Sequence, residues 1–171
     1  QKELIYMTKE IDFYFDFISP YAYLAHKKIQ LLPKDIKINY KPILLGGLHN
    51  LEGITAPAFI KPKLKHMIND CLLIAKKNNH DFKWNSIFPI NSLNIMRGCF
   101  DINLSNRDPY IETMFNAYWK YDLDISKEEI LIPLLEQCKI DKDIFFKTIK
   151  DPVIKEKLKD ATKNAHEKEV F

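Results

Sequence analysis

Residues 11–32 read IDFYFDFISPYAYLAHKKIQLL, and this stretch predicts a β-strand followed at once by a helix. Over residues 11–18, side chains of different character alternate with a period of two, which is the repeat of a strand. One face carries Phe13, Phe15 and Phe17, and the other carries Asp12, Tyr14, Asp16 and Ile18. Because both faces carry aromatic or aliphatic side chains, we expect this strand to lie at the centre of a sheet.

A helix is predicted to begin directly after the strand. Ser19 is a natural helix N-cap, and Pro20 suits the first helical position because it has no N–H to leave unpaired. Apolar residues then recur at helical spacing as far as Leu32, and Pro33 ends the pattern.

A second strand is predicted over residues 36–43, in which Ile36, Ile38 and Tyr40 alternate with lysine and asparagine. Strand, helix and strand within residues 11–43 form one βαβ unit. The two strands are therefore expected to be parallel, with a right-handed crossover, and the fold class to be α/β.

The rest of the chain is predicted to be almost entirely helical. Residues 44–60 contain three of the four glycines and are expected to form a loop, and residues 80–91 a second irregular segment. Helices are predicted over residues 63–78, 92–102, 109–121, 127–138 and 143–149, followed by a last helix that Asp151 and Pro152 open. Ser126 and Glu129 have the spacing of a capping box.

Composition and charge exclude several classes of protein. The 171 residues, 46% hydrophobic and 29% charged, suit one globular domain and not a disordered chain. The apolar runs are far shorter than the roughly 18 residues of a membrane-spanning helix. The net charge of +3 is spread along the chain, which disfavours nucleic-acid binding. Three separated cysteines predict neither a disulfide nor a metal site, and they favour buried thiols in a reducing compartment, which we expect to be the cytoplasm.

The predicted sheet is incomplete. Two parallel strands cannot cover both faces of residues 11–18, since a stable sheet usually has three or more strands. The missing strands would come either from a partner chain or from residues that follow Phe171. We expect the natural chain to continue.

Ser19 is the residue that the sequence singles out for chemistry. It stands between the carboxyl end of a strand, where α/β proteins bind ligands, and a helix N-terminus, whose free N–H groups favour an anion. A helix end and one hydroxyl hydrogen bond together lower the pKa of a bound thiol by roughly two units, which would make a thiol with a pKa near ~8.5 largely a thiolate at neutral pH. On spacing alone, the simpler interpretation is that Ser19 is only an N-cap.

Four segments, in order, carry a resemblance to a known family. They are DFYFDFISPYAYLA at residues 12–25, KP at 41–42 with LLGG at 44–47, Lys63 with Met67 and Asp70, and FPINSL at 88–93 with Arg97. Together they resemble the 2-hydroxychromene-2-carboxylate isomerases and the kappa-class glutathione transferases. Both have a thioredoxin-like fold with a large all-helical insertion of the DsbA type.

The resemblance implies a domain organisation. Residues 11–60 would form the N-terminal βαβ part of a thioredoxin-like domain, residues 61–150 the helical insertion, and residues 151–171 a helix that leads back to the thioredoxin-like part. In the family, a cis-proline segment, two strands and a helix follow, and we expect this C-terminal β-β-α portion to be missing from the chain.

The resemblance also implies glutathione as cofactor and Ser19 as the catalytic residue, whose hydroxyl would hydrogen-bond the glutathione sulfur. Pro20 and Tyr21 would line the same site. Lys63 would meet a carboxylate of glutathione or of the substrate, although a solvated helix lysine has the same pattern. The family's glutathione-binding asparagine is replaced here by Ile54, so Asn50 is the nearest residue for that contact.

Three functions follow from the resemblance. The leading one is a glutathione-dependent isomerase that acts on a small aromatic or conjugated substrate, in a chain that forms a homodimer. The alternatives are a kappa-type transferase or peroxidase that consumes glutathione, and a thioredoxin-like module that binds a partner without turnover. A disulfide oxidoreductase is disfavoured because the chain has no C-x-x-C pair.

Several other side chains are open to two interpretations. Asp12 and Asp16 share one strand face, and they suit either acid–base catalysis or structural hydrogen bonding. Phe82, Trp84 and Phe88 suit either the wall of a substrate pocket or core packing. We expect Tyr110, Phe115, Tyr118, Trp119 and Tyr121 to be mostly core, and His49 to be a weak candidate ligand.

Overall fold

The computed structural model of the chain describes residues 9–100 and 104–171. Two strands and eight α-helices follow one another in these residues: β1 (Glu10–Phe15), α1 (Pro20–Ile29), β2 (Lys37–Pro42), α2 (Leu45–Glu52), α3 (Lys61–Lys77), α4 (Leu93–Arg97), α5 (Leu104–Trp119), α6 (Glu128–Gln137), α7 (Lys142–Thr148) and α8 (Pro152–Glu167). Short 3-10 turns at Pro57–Phe59 and Gly98–Phe100 precede α3 and follow α4.

The βαβ unit forms as predicted. β1 and β2 are parallel neighbours, with Phe13 opposite Tyr40 and Phe15 opposite Pro42. They are the whole sheet within the described residues. The carboxyl ends of both strands therefore lie at one edge, and the segments that leave them, residues 16–19 and residues 43–45, are brought together there.

The start of α1 confirms the predicted cap. The Ser19 side chain accepts a hydrogen bond from the Ala22 N–H at 3.2 Å, and Pro20 occupies the first helical position. The helix ends at Ile29, three residues before the predicted end at Leu32.

The prediction of a loop over residues 44–60 is wrong for the first half of that segment, because α2 forms there. The cap of this helix is not local: the buried carboxylate of Asp16 accepts the Leu45 N–H at 2.9 Å. Leu48 is completely buried, and Gly53 ends the helix in the left-handed region at φ 67°. Burial of one helix face and a distant cap thus outweigh the low helix propensity of the two glycines in the first turn.

The predicted capping box at Ser126 and Glu129 is also wrong. The Ser126 hydroxyl is engaged with the carboxylate of Asp124, and α6 begins at Glu128 without a side-chain cap. Asp141 and Asp151 do cap α7 and α8, by accepting the N–H groups of their first turns. The helix predicted to start at Pro109 begins at Leu104 instead, with the proline inside it.

An aromatic core fills the space between β1, α1 and the helices that follow. The side chains of Phe13, Phe15 and Phe17 are buried against it. Phe115 lies at its centre, with ring centroids 5.8 Å from Phe15 and 5.0 Å from Phe17. Tyr110, Tyr118 and Trp119 are completely buried, as predicted, whereas Tyr121 is 59% exposed because it follows the end of α5.

The other face of β1 is covered by α2 and α8. Ile43, Leu48 and Ala165 are buried there, with Tyr14 packed against them. Inside the described ranges, no helix has the length and apolar character to cross a membrane.

Candidate functional site

Ser19 lies at the edge where both strands end. Its N–H donates to the Asp16 carbonyl at 3.0 Å, which closes the turn between β1 and α1. Its side-chain oxygen is an acceptor for the Ala22 N–H, so the hydroxyl hydrogen is not used by the cap and can be donated outward. The side chain is half-buried, and Ser19 thus offers one hydrogen-bond donor at the positive end of α1.

The two residues after Ser19 have different surroundings. Pro20 is buried under the helix, whereas Tyr21 is 41% exposed. The Tyr21 hydroxyl donates to the Asp70 carboxylate at 2.7 Å, which links the start of α1 to the middle of α3. Burial and this hydrogen bond both raise the pKa of Tyr21, so the phenol is neutral over the physiological range.

Lys63 is exposed near the start of α3. It stands seven residues before Asp70, and two helical turns place both on one face of α3, about 10 Å apart along the axis. Because Tyr21 contacts Asp70, Lys63 shares the helix face that borders the start of α1.

Asn50 takes a different position. It lies in the last turn of α2 and lines a cavity with residues of α4 and α8, and Ser19 is not part of that lining. Among the predicted glutathione-binding residues, Tyr21 contacts the face of α3 that carries Lys63, whereas Asn50 lines a cavity whose lining includes none of the other four.

Asp16 is the buried acid behind this edge. It is 1% exposed, and its carboxylate accepts three hydrogen bonds: from the Ile18 N–H at 3.1 Å, the Leu45 N–H at 2.9 Å and the Ser92 hydroxyl at 3.0 Å. These bonds tie the turn before Ser19 to the starts of α2 and α4. Burial raises the pKa of Asp16 to about 6, although the hydrogen bonds act in the opposite direction.

The profile of the DSBA-like thioredoxin domain matches residues 10–171. The chain belongs to this family. The α/β thioredoxin-like fold with a helical insertion, predicted from the sequence, is thereby confirmed.

Known proteins similar to this chain include the two classes that its sequence motifs resemble. A 2-hydroxychromene-2-carboxylate isomerase of Sphingobium xenophagum is 26% identical over 169 residues, which cover 96% of the chain and 86% of that protein. The kappa 1 glutathione S-transferase of Caenorhabditis elegans is 39% identical over 69 residues, which cover 39% of the chain and 30% of that protein. A solved structure of a 2-hydroxychromene-2-carboxylate isomerase superposes with a TM-score of 0.84 at 24% identity, over 95% of the chain and 81% of that structure.

The remaining candidates of the DSBA-like domain are structural. Asp12 is exposed and accepts a hydrogen bond from the Asn39 amide at 3.0 Å, so it forms no pair with the buried Asp16. The ring centroids of Phe82 and Trp84 lie 5.6 Å and 5.4 Å from that of Trp119, which favours core packing over a pocket wall.

The three cysteine thiols of the domain give no alternative nucleophile, because burial raises the pKa of each of them. Burial raises the pKa of Cys71 to about 12, which keeps this thiol protonated and unreactive at neutral pH. His49 is half-buried in α2, and burial lowers its pKa. Within residues 9–100 and 104–171, no three His, Cys, Asp or Glu side chains gather as a metal site would require.

The sequence singled out Ser19 as a candidate, and it did not predict the hydrogen bond between Asp16 and Ser92. These residues stand 76 positions apart, and only the packing of α4 against the end of β1 brings them together. Asp16 lies in the segment 12–25 and Ser92 in the segment 88–93, and both segments carry the family resemblance. That resemblance was the one feature of the sequence that connected the two residues.

Proposed function

We propose that the protein is a glutathione-dependent isomerase of the 2-hydroxychromene-2-carboxylate isomerase type, acting on a small aromatic or conjugated substrate. The observation that carries the proposal is the half-buried Ser19 hydroxyl, which caps α1 as an acceptor and keeps its own hydrogen free to donate. An enzyme that uses a thiolate needs such a donor, and the relatives named as isomerases supply the reaction class.

The fit of a thiol to this position rests on two groups of the chain. The Ser19 hydroxyl would donate to the sulfur, and the Tyr21 N–H, for which no described residue is a hydrogen-bond acceptor, would face the same anion. A hydrogen bond to a charged acceptor is worth about 1.5–3 kcal/mol. One pKa unit corresponds to about 1.36 kcal/mol, so these groups would lower the thiol pKa by roughly two units.

The outer contacts would come from the other predicted residues. Lys63 would pair with a carboxylate of glutathione, since it lies on the face of α3 that Tyr21 contacts. The Tyr21 ring, held by Asp70, and the Pro20 backbone would border the thiol. Asn50 stays a candidate for a more distant glutathione contact.

Glutathione would supply the thiolate that adds to the conjugated substrate and later leaves. The chain's part is to keep the sulfur ionised and in place. Ser19 does so as a hydrogen-bond donor and not as an acyl nucleophile, because no described histidine is hydrogen-bonded to it. Asp16 would hold the turn that presents Ser19, through its bonds to Ile18 and Leu45.

Substitutions at Ser19 test the proposal on the full-length protein. With 2-hydroxychromene-2-carboxylate as substrate, we expect a reversible absorbance change that needs only catalytic glutathione. Ser19→Ala should reduce kcat/KM by about 10²-fold, the loss of roughly 2.7 kcal/mol of thiolate stabilisation. Ser19→Thr, which keeps the hydroxyl, is the matched control and should retain most activity. Equal activity in Ser19→Ala and the wild type would overturn the role of Ser19.

A kappa-type glutathione transferase or peroxidase is the second candidate, favoured by the 39% identity to the Caenorhabditis elegans transferase. It differs in that glutathione is consumed in proportion to product. Measuring the free thiol during turnover separates the two enzymes. A folded protein with neither activity, and with glutathione binding unchanged by Ser19→Ala, would instead be a binding module without turnover.

A further inference from the structure

Phe17 lies just beyond the end of the sheet, where the strand ladder no longer pairs its backbone. The pairing of β1 with β2 ends at Phe15, and Phe17 is completely buried. A buried backbone N–H or C=O without a partner costs free energy, so both groups of Phe17 need partners from elsewhere. Ser19 follows two residues later, and the contacts that hold Phe17 therefore bear directly on the position of Ser19.

Two helical side chains satisfy the backbone of Phe17. Its N–H donates to the Met96 sulfur of α4 at 3.5 Å, and its carbonyl accepts the Trp119 indole N–H of α5 at 2.8 Å. Met96 and Trp119 are both completely buried, so water does not compete for either bond. A methionine in a core usually only fills space, since its thioether is a weak acceptor. Within the described residues, Met96 is also the acceptor for this N–H.

Ser92, one helical turn before Met96, contacts the residue next to Phe17. Its hydroxyl donates to the Asp16 carboxylate at 3.0 Å, and both side chains are buried. Ser92 stands at the N-cap position of α4, where a serine usually accepts an N–H of the first turn, yet it forms no such bond. The hydroxyl is thus directed to Asp16 and not to its own helix.

One face of α4 therefore holds two consecutive residues of the turn. Ser92 and Met96 stand four residues apart, which places their side chains on the same side of the helix. They contact Asp16 and Phe17. The carbonyl of Asp16 accepts the Ser19 N–H at 3.0 Å, so hydrogen bonds and the backbone between them connect α4 with Ser19.

We infer that Met96 and Ser92 are positioning residues for the Ser19 hydroxyl. Met96 acts through Phe17, and Ser92 acts through Asp16. Both are buried, so they act through the turn and not by contact with the thiol. The inference rests on the proposed function, in which the hydroxyl donates to a thiolate. A donor stabilises an anion best when its geometry is fixed in advance, and a displacement of about 1 Å can cost about 10²-fold in rate.

The first measurement is amide hydrogen exchange in the full-length protein, which reports on the turn without any ligand. Met96→Leu nearly keeps the volume but removes the sulfur acceptor, and the Phe17 and Ser19 amides should exchange about tenfold or more faster. Met114→Leu, at another completely buried methionine, is the matched control and should leave both amides unchanged. Ser92→Ala should speed exchange of the Ser19 amide, whereas Ser92→Thr, which keeps the hydroxyl, should not.

The second measurement is the thiol pKa of bound glutathione, followed by thiolate absorbance, together with kcat and KM of the isomerisation. Met96→Leu and Ser92→Ala should move this pKa by about half a unit or more toward the free value. They should lower kcat about tenfold and change KM for glutathione less. Met114→Leu and Ser92→Thr should match the wild type. If Met96→Leu does not fold, the two Ser92 variants carry the test.

Two results would overturn the inference. One is unchanged exchange of the Phe17 and Ser19 amides in both Met96→Leu and Ser92→Ala. The other is faster exchange with the thiol pKa of the wild type, which would make Met96 and Ser92 purely structural. A wild-type complex in which the thiol pKa is not lowered would overturn the proposed function, and the inference with it. Because that result is seen in the wild type, the two failures are told apart.

Discussion

The two faces of β1, continued through Asp16 and Phe17, have different surroundings. The odd-numbered face is aromatic and buried, and Phe13, Phe15 and Phe17 pack into the core beneath the helices. The even-numbered face includes Tyr14 packed against α2 and α8, and the buried carboxylate of Asp16. The aromatic face anchors the strand in the core. The face with Asp16 holds the turn that precedes Ser19 through hydrogen bonds.

The difference shows how a rigid support is built behind a polar site. Phe17, the last residue of the aromatic face, also accepts a hydrogen bond from the Trp119 indole through its carbonyl, at 2.8 Å. The backbone just before Ser19 is thereby fixed from the core side. On the other side, Asp16 fixes it through Ile18 and Leu45. Ser19 thus follows a turn held from both faces.

The aromatic face predicts the largest loss of stability. Phe115→Ala removes the ring that packs on Phe15 and Phe17, and it leaves a cavity in the core. We expect the free energy of unfolding to fall by about 3–5 kcal/mol, measured by urea denaturation. Ile144→Ala, at a side chain that is 65% exposed, is the control and should change it by less than about 0.5 kcal/mol. A loss below about 1 kcal/mol at Phe115 would contradict the division between the faces.

The polar face predicts a pH dependence. The folded pKa of Asp16 is raised from 3.8 to about 6, so the folded chain binds more protons than the unfolded chain between these values. Stability should therefore fall as the pH rises from about 4 to about 6.5, by up to about 3 kcal/mol, and Asp16→Asn should remove this contribution.

Thermal unfolding at several pH values measures the effect. The control is Asp12→Asn, on the same face but exposed, which should leave the pH dependence as it is in the wild type. Identical pH profiles for Asp16→Asn and the wild type would show that burial of Asp16 does not perturb its ionisation.

Gly98 tests how tightly the aromatic core is filled. A Cβ at this position would overlap the Phe145 ring and lie 2.7 Å from the Tyr110 hydroxyl. Gly98→Ala should lower the free energy of unfolding by about 1–3 kcal/mol, measured by urea denaturation. Gly46→Ala, where a Cβ meets nothing within 4 Å, should not be destabilising. Equal stability of both variants would indicate a loosely packed core.

Local patterns predicted the parts of the fold that depend on local physics. The period-two repeat located β1, and Ser19 with Pro20 located the start of α1, because a strand's alternation and a cap act within a few residues. The helix α2 was missed because its N-terminal acceptor, Asp16, stands 29 residues away. Ser126 failed as a cap because Asp124, two residues before it, competes for its hydroxyl.

The candidate site also has parts that neighbouring residues indicate and parts that depend on residues far apart in the sequence. Ser19 was predicted from its place between a strand end and a helix start, and the family resemblance added Pro20, Tyr21, Lys63 and Asn50, which stay predictions. The cavity between α2, α4 and α8 was not predicted from the sequence. Its cationic residues, Arg97 and the lysines of α8, are about 60 residues apart, and each resembles an ordinary surface charge. Only the packing of α4 against α8 joins them.

The smallest effect on stability is expected at Ser19 itself. Glycine is nearly as good an N-cap as serine, so Ser19→Gly should cost only a few tenths of a kcal/mol, whereas Ser19→Ala should cost about 0.5–2 kcal/mol. Urea denaturation of the two variants measures the difference. A large loss in Ser19→Gly would mean that the hydroxyl holds the fold and does not serve the site alone.

Ser19→Gly therefore separates the hydroxyl's chemistry from its structural role. The most direct measurement is the ultraviolet thiolate absorbance of bound glutathione, followed against pH in the wild type and in Ser19→Gly. We expect the thiol pKa to be about two units lower in the wild-type complex than in free glutathione, and to shift by about one unit or more back toward the free value in Ser19→Gly. The same thiol pKa in both complexes would contradict this expectation.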